Sequence, residues 1–139
     1  MAFLAAVVLL PLLLAACAST EVDFKPIGTV TRIDVYNAVG TFKPESLHDP
    51  RKIARLVEIM NRNRLGWTPE RRQTFGGGPE EKCAYGVGFY RNDMWIAGVS
   101  LGSDGATISR AQTQFSRLTA FKTDPEMVRS MLAILGKRL

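Results

Sequence analysis

The residues best suited to covalent chemistry lie in Gly98-Val99-Ser100-Leu101-Gly102. The spacing G-x-S-x-G can expose a serine hydroxyl on a sharp strand-to-helix turn, where a base activates it for acyl transfer. That chemistry needs an acid and a histidine further along the chain. Here the only histidine, His48, precedes Ser100, and Ser103-Asp104-Gly105 turns the chain toward another strand. Hydrolysis is therefore not expected. His48 beside Asp49 can be written as a base, but Asp49 is better used as a helix cap, and a lone histidine is normally structural. Glu80 and Glu81 are adjacent, so they point apart in a strand and have no fixed separation in a loop. A carboxylate pair for acid–base work is not indicated. Cys83 reads as a small buried apolar residue, with an intermolecular disulfide or a reactive thiol as the alternative. No Cys or His pair has the spacing of a metal site. The expectation is a protein that is not an enzyme and uses no cofactor or metal.

A binding surface has better support. Cys83 to Tyr90 and Met94 to Leu101 read as a hairpin around Asn92-Asp93, both tolerant of positive φ. A two-residue loop opposes Arg91 to Met94, Tyr90 to Trp95, Phe89 to Ile96 and Val87 to Gly98. One face then carries Tyr85, Val87, Phe89 and Ile96. The other carries Ala84, Gly86, Gly88, Tyr90, Trp95, Ala97 and Val99. Tyr90 and Trp95 beside a floor of small residues would form a shallow groove for a partner or ligand. The plainer alternative is a helix packed on that floor, since glycines permit close approach. The groove stays open if both helices cover the Val87/Phe89/Ile96 face.

Charge gives a second candidate surface. The chain carries a net +5, and Arg51 to Arg72 holds seven basic residues against two acidic ones. Arg51, Arg55 and Arg62 are the candidates there for an acidic protein surface or anionic lipid. The plainer alternative is a solvated, arginine-rich helix face. No nucleic-acid motif is present, and no nucleic-acid partner is expected.

These residues need elements to position them. Thr29 to Ala38 alternates as a strand, with Thr31, Ile33 and Val35 on one face and Val30, Arg32, Asp34 and Tyr36 on the other. Gly40 to His48 reads as a loop. Asp49-Pro50 starts a helix, with Asp49 as N-cap and Pro50 at the first helical position. Its apolar stripe is Ile53, Leu56, Val57 and Met60, and Gly66 lies where a C-terminal cap would. Trp67 to Lys82 reads as a long loop made mobile by Gly76-Gly77-Gly78-Pro79; it lacks the Gly-Lys-Ser/Thr of a phosphate loop. Trp67 and Phe75 on it would gate a pocket, unless it is a plain connection. Ala106 to Gln114 reads as a third consecutive strand. Asp124-Pro125 repeats the helix-start device, followed by Val128, Met131, Leu132 and Leu135. The order is β-α-β-β-β-α, an α+β fold with a small antiparallel sheet of about four strands and two amphipathic helices.

The N-terminus bears on location. Leu4 to Leu14 is an apolar run, followed by Ala15-Ala16-Cys17, and Ala2 to Ala18 carries no charge. The run is shorter than the roughly 20 residues of a spanning helix and is interrupted by Pro11. Leu14-Ala15-Ala16-Cys17 resembles the lipobox of bacterial lipoproteins, although no Lys or Arg precedes the run. The resemblance implies that residues 1–16 are a signal peptide and that Cys17 becomes the acylated N-terminus. Residues 17–27 would be the lipidated cysteine and its tether, and residues 28–139 a single α+β domain. Ala18, in place of an aspartate, points by the family rule to the outer membrane, facing the periplasm. The nine residues from Ala18 to Pro26 reach about 30 Å at most. The partners implied are the membrane, through the acyl anchor, and an envelope protein or anionic lipid. The expected role is non-enzymatic binding or an accessory function; the alternative is a structural component of an envelope complex.

Overall fold

The structure, a computed structural model, describes residues 21–37, 43–70, 83–110 and 119–139. Its elements run β1 (Arg32–Asn37), β2 (Glu45–Leu47), α1 (Pro50–Arg62), β3 (Thr68–Glu70), β4 (Cys83–Arg91), β5 (Met94–Gly102), β6 (Gly105–Arg110), β7 (Thr119–Lys122) and α2 (Pro125–Leu135). The strands form one sheet in the order β2-β1-β4-β5-β6-β7-β3, with every pairing antiparallel.

The general class is α+β, but among the described residues the sheet has seven strands rather than about four. The additional strands are short. β2 lies in the expected loop Gly40 to His48, β3 in the expected loop Trp67 to Lys82, and β7 beyond the last expected strand. Three or four residues carry too little alternation to register as a strand. β3 also contains Pro69, which would be excluded from a central strand but is tolerated here because β3 is an edge. β6 is described to Arg110, so the rest of the expected strand to Gln114 lies outside the described residues.

Both helices begin as their sequences dictate. The Asp49 carboxylate accepts from the N–H of Arg51 at 2.9 Å and of Lys52 at 3.4 Å. Asp124 accepts from Glu126 at 3.0 Å and Met127 at 3.2 Å. Pro50 and Pro125 take the first helical positions, where no N–H is needed. The C-terminus of α1 departs from expectation. Asn63, not Gly66, is the cap, and its side-chain amide donates to the Ile59 carbonyl at 2.9 Å. Gly66 does have positive φ, but in the turn toward Trp67. α2 ends on left-handed Gly136. The buried side of α1 is Ile53, Leu56, Ile59 and Met60, with Val57 at the margin. α2 buries Met127, Val128, Met131, Leu132 and Ile134.

These side chains join Ile33, Val35, Val87, Phe89, Ala97, Val99, Leu101 and Ile108 in one cluster. Trp67 is fully buried in it, so it cannot gate a pocket; Phe75 lies outside the described residues. The indole N–H of Trp67 donates to Asn63 O at 2.6 Å, and Phe24 meets its ring edge-on at 6.0 Å. Lys122 Nζ lies 5.8 Å from the Trp67 ring and donates to Leu65 O at 3.0 Å, opposite the C-terminal dipole of α1.

Part of the expected tether is core. Val22 pairs with Trp67, and Phe24 and Ile27 are 3% and 5% exposed. The Asn61 amide exchanges two hydrogen bonds with the Ile27 backbone. Burying side chains of this size stabilises by about 1.5–3 kcal/mol each, which the sequence around Phe24 and Ile27 does not advertise through any period. Among the described residues, packing therefore begins at Val22.

Candidate partner-binding face

The buried residues of α1 and α2 both join the side of the sheet formed by Ile33, Val87, Phe89 and Ile108. The opposite side carries Arg32, Asp34 and Tyr36 of β1, Gly86, Gly88 and Tyr90 of β4, Trp95, Gly98 and Ser100 of β5, and Thr107 of β6. Among the described residues no helix lies on it. This is the arrangement under which the aromatic face was expected to stay open.

A bulge determines who belongs to that face. Arg91 opposes Met94 and Tyr90 opposes Trp95, as the two-residue loop requires. Beyond that pair the register shifts: Phe89 opposes Ala97 rather than Ile96, and Val87 opposes Val99 rather than Gly98. Ile96 is the extra residue on β5. One extra residue reverses every later side chain. Ala97 and Val99 therefore enter the core, and Gly98 and Ser100 move to the open face. The turn is held by Asn92 in left-handed conformation, φ 53°, whose N–H donates to Thr31 Oγ1 at 2.6 Å.

The glycines do not form an empty floor. A Cβ on Gly88 would stand 2.9 Å from Tyr90 Cε2, and one on Gly98 would stand 3.4 Å from Trp95 Cζ2. Each ring lies over its glycine. The expected groove is thus paved by the aromatics that were to border it, leaving a surface of ring faces and polar tips.

Tyr90 is fixed from several sides. The Arg32 guanidinium sits 4.5 Å from its ring centroid, and its hydroxyl meets that of Tyr36 at 3.5 Å. Arg32 is in turn oriented by Asp34, Nε to Oδ1 at 3.1 Å, and by Asp93 at 3.3 Å. Asp34, the buried charged residue of this face, also accepts from Ser46 Oγ at 2.7 Å. The hydrogen bond to Tyr90, then burial, pushes the Tyr36 hydroxyl up to about 12. Trp95 is 37% exposed and Met94 59% exposed at the open end. The arrangement offers flat apolar contact, a cation and several hydroxyls, held in one geometry.

The other sequence-derived candidates lie elsewhere. Arg51, Arg55 and Arg62 are exposed on α1, across the sheet from Tyr90 and Trp95. Arg55 and Arg62, with Glu58, border a groove of about 350 Å³ between α1 and α2, floored by Ile59 and Ile134. The two candidate surfaces are therefore separate. Ser100 stands within β5 between Gly86 and Thr107, and β5 turns directly into β6, so the strand–turn–helix of a nucleophile elbow is not formed. His48 is exposed between β2 and α1. The Cys83 thiol is partly exposed and donates to Tyr85 O at 3.2 Å. Among the described residues no group of three His, Cys, Asp or Glu side chains is placed to hold a metal. Cys17, Glu80 and Glu81 lie outside the described residues.

Arg32, Asp34, Tyr36 and Ser46 were not expected at this site. The alternation of β1 did put Arg32, Asp34 and Tyr36 on one face. What the sequence lacks is the β1–β4 register that sets Arg32 against Tyr90. Comparison with protein-family models, curated proteins and solved structures finds no match to this chain.

Proposed function

We propose that this chain is a lipid-anchored protein of the bacterial cell envelope, facing the periplasm from the outer membrane, with a non-enzymatic binding role. Its partner is a protein, and the Arg32/Tyr36/Tyr90/Trp95 face receives it. The observation that carries the reading is an ordered aromatic face with no helix on it among the described residues. Tyr, Trp and Arg supply most binding energy at protein interfaces, and rings already held in place lose little entropy on association. The anchor rests on Leu14-Ala15-Ala16-Cys17 and its apolar leader. Two acyl chains or more give stable attachment where one is marginal.

Intact-mass analysis of membrane-extracted protein tests the anchor. A mass beginning at Cys17 plus acyl chains, lost in Cys17→Ser, supports it; an unmodified chain retaining Met1 removes it. A second reading, a structural component that meets an acidic partner through α1, is favoured by the Arg55/Arg62 groove. Trp95→Ala abolishes partner capture under the first reading and spares it under the second. Charge reversal at Arg55 and Arg62 does the opposite.

A further inference from the structure

Among the described residues packing begins at Val22, and Val22 to Phe24 are joined to the loop after α1. Val22 N–H donates to Trp67 O at 2.6 Å, Trp67 N–H to Val22 O at 3.3 Å, and Phe24 N–H to Arg64 O at 2.8 Å. Gly66 N–H donates to the Asp23 carboxylate at 3.4 Å. Four residues, Ala18 to Glu21, separate Cys17 from Val22. Fully extended, that stretch reaches about 18 Å. If Cys17 carries the anchor, the Arg64–Trp67 loop is held within about 20 Å of the lipid headgroups, while α1 extends about 20 Å from there to His48.

The side chains at this end suit such a surface. Leu65 is an exposed large hydrophobic residue, 47% accessible. Arg64 precedes it, the Lys122 amine reaches its carbonyl, and Lys25 follows Phe24, whose N–H donates to Arg64 O; Glu21 and Asp23 lie beside Gly66 at the same end. Asp23 is engaged with Gly66, and Lys122 with the Leu65 carbonyl. Basic side chains within a Debye length of an anionic leaflet are attracted to it, and an exposed leucine gains by leaving water at the headgroup boundary.

We infer that the end of the fold around Leu65 rests on an anionic phospholipid bilayer, with Leu65 at the interface and Lys25 and Arg64 against the headgroups. The inference rests on acylation of Cys17 and goes beyond it: the domain has a defined face toward the membrane instead of swinging on its tether.

The test uses the full-length acylated protein, with Cys83→Ser, reconstituted into vesicles. Acylated Cys17 does not react with maleimide, so Leu65→Cys and His48→Cys each provide one reporter thiol for an uncharged polyethylene-glycol maleimide. On phosphatidylglycerol-containing vesicles, labelling of Leu65→Cys is expected to slow by on the order of 5-fold relative to phosphatidylcholine vesicles, with His48→Cys unchanged. Lys25→Glu with Arg64→Glu should remove the protection. Equal labelling of Leu65→Cys on both vesicle types, with the protein floating with the vesicles, overturns the inference. Equal slowing in detergent also overturns it, because a second copy rather than lipid then covers the loop. A protein without acyl mass that fails to float overturns the anchor itself.

Discussion

Arg32 and Tyr90 share one register position of β1 and β4, and the guanidinium lies 4.5 Å from the ring centroid. The ring beneath it covers Gly88, and Asp34 and Asp93 hold the guanidinium from the sides. A cation stacked this way is worth about 0.5–1 kcal/mol where exposed and more where desolvated. Its larger effect is to leave Tyr90 one orientation. The face is therefore assembled before any partner arrives.

Trp95 is the most exposed ring of that face. Trp95→Ala is expected to weaken partner binding by about 2 kcal/mol or more, the range of an interface hot spot. Thermal unfolding should barely move, because the indole rests on Gly98 instead of in the core. Arg55→Glu with Arg62→Glu should leave affinity within a factor of about two, since α1 lies across the sheet. Titration of the purified partner against the three proteins decides between the surfaces.

Gly88→Ala inserts a methyl group where Tyr90 Cε2 stands 2.9 Å away. The ring must tilt, and tilting breaks its stack with Arg32. A loss of about 1–3 kcal/mol in denaturant unfolding is expected, as for an overpacked site. Gly98→Ala meets Trp95 at 3.4 Å and should cost less, since that ring is freer to move. Equal midpoints for the two variants would contradict the packing described.

Gly105 closes the β5–β6 turn at φ 126°, and a Cβ there would stand 2.6 Å from Lys122 O. Lys122 O and Thr123 Cα, 2.8 Å from the same Cβ, are backbone atoms that cannot swing aside. Gly105→Ala should therefore destabilise by about 3 kcal/mol or more through strain and backbone clash. Gly136→Ala, also at positive φ but with open space, should cost only about 1 kcal/mol. Unfolding midpoints of the pair separate clash from conformational strain.

Tyr36 gives a pH signature. Its hydroxyl is pushed up to about 12 by Tyr90 and by burial. An unfolded tyrosine ionises near pH 10, so in the window between the two values the folded state keeps a proton that the unfolded state loses. The stabilisation is whole below about pH 10 and is lost as pH rises through the folded value. Unfolding measured across that window should show a decline in wild type that is shallower in Tyr36→Phe. Ultraviolet absorbance should show a late-forming tyrosinate in the folded wild type that is missing from Tyr36→Phe.

Local chemistry made some of this architecture readable from residues alone. Asp49-Pro50 and Asp124-Pro125 specify helix starts by capping geometry, and Ile33 and Val35 mark the core side of β1. α1 ends at Asn63 rather than Gly66 because the Asn63 side-chain amide donates to the Ile59 carbonyl, which no local pattern reveals. The Tyr90–Trp95 pair follows from the turn length, but the bulge at Ile96 is a tertiary choice: it lets Ala97 and Val99, in place of Gly98, reach the core. β2, β3 and β7 exist because longer neighbours offer them partners. Arg32 and Tyr90 are far apart in the chain, and only the sheet brings them together.

Under the proposed function the open sheet face, not the helical side, holds the partner. A photo-crosslinking residue placed in the full chain at the exposed Met94 beside Trp95, and separately at Arg55, tests it in cells that make the protein. A discrete, membrane-associated adduct is expected from position 94 that disappears with Gly88→Ala, and none from position 55. An adduct from position 55 alone would contradict it and transfer the binding role to α1.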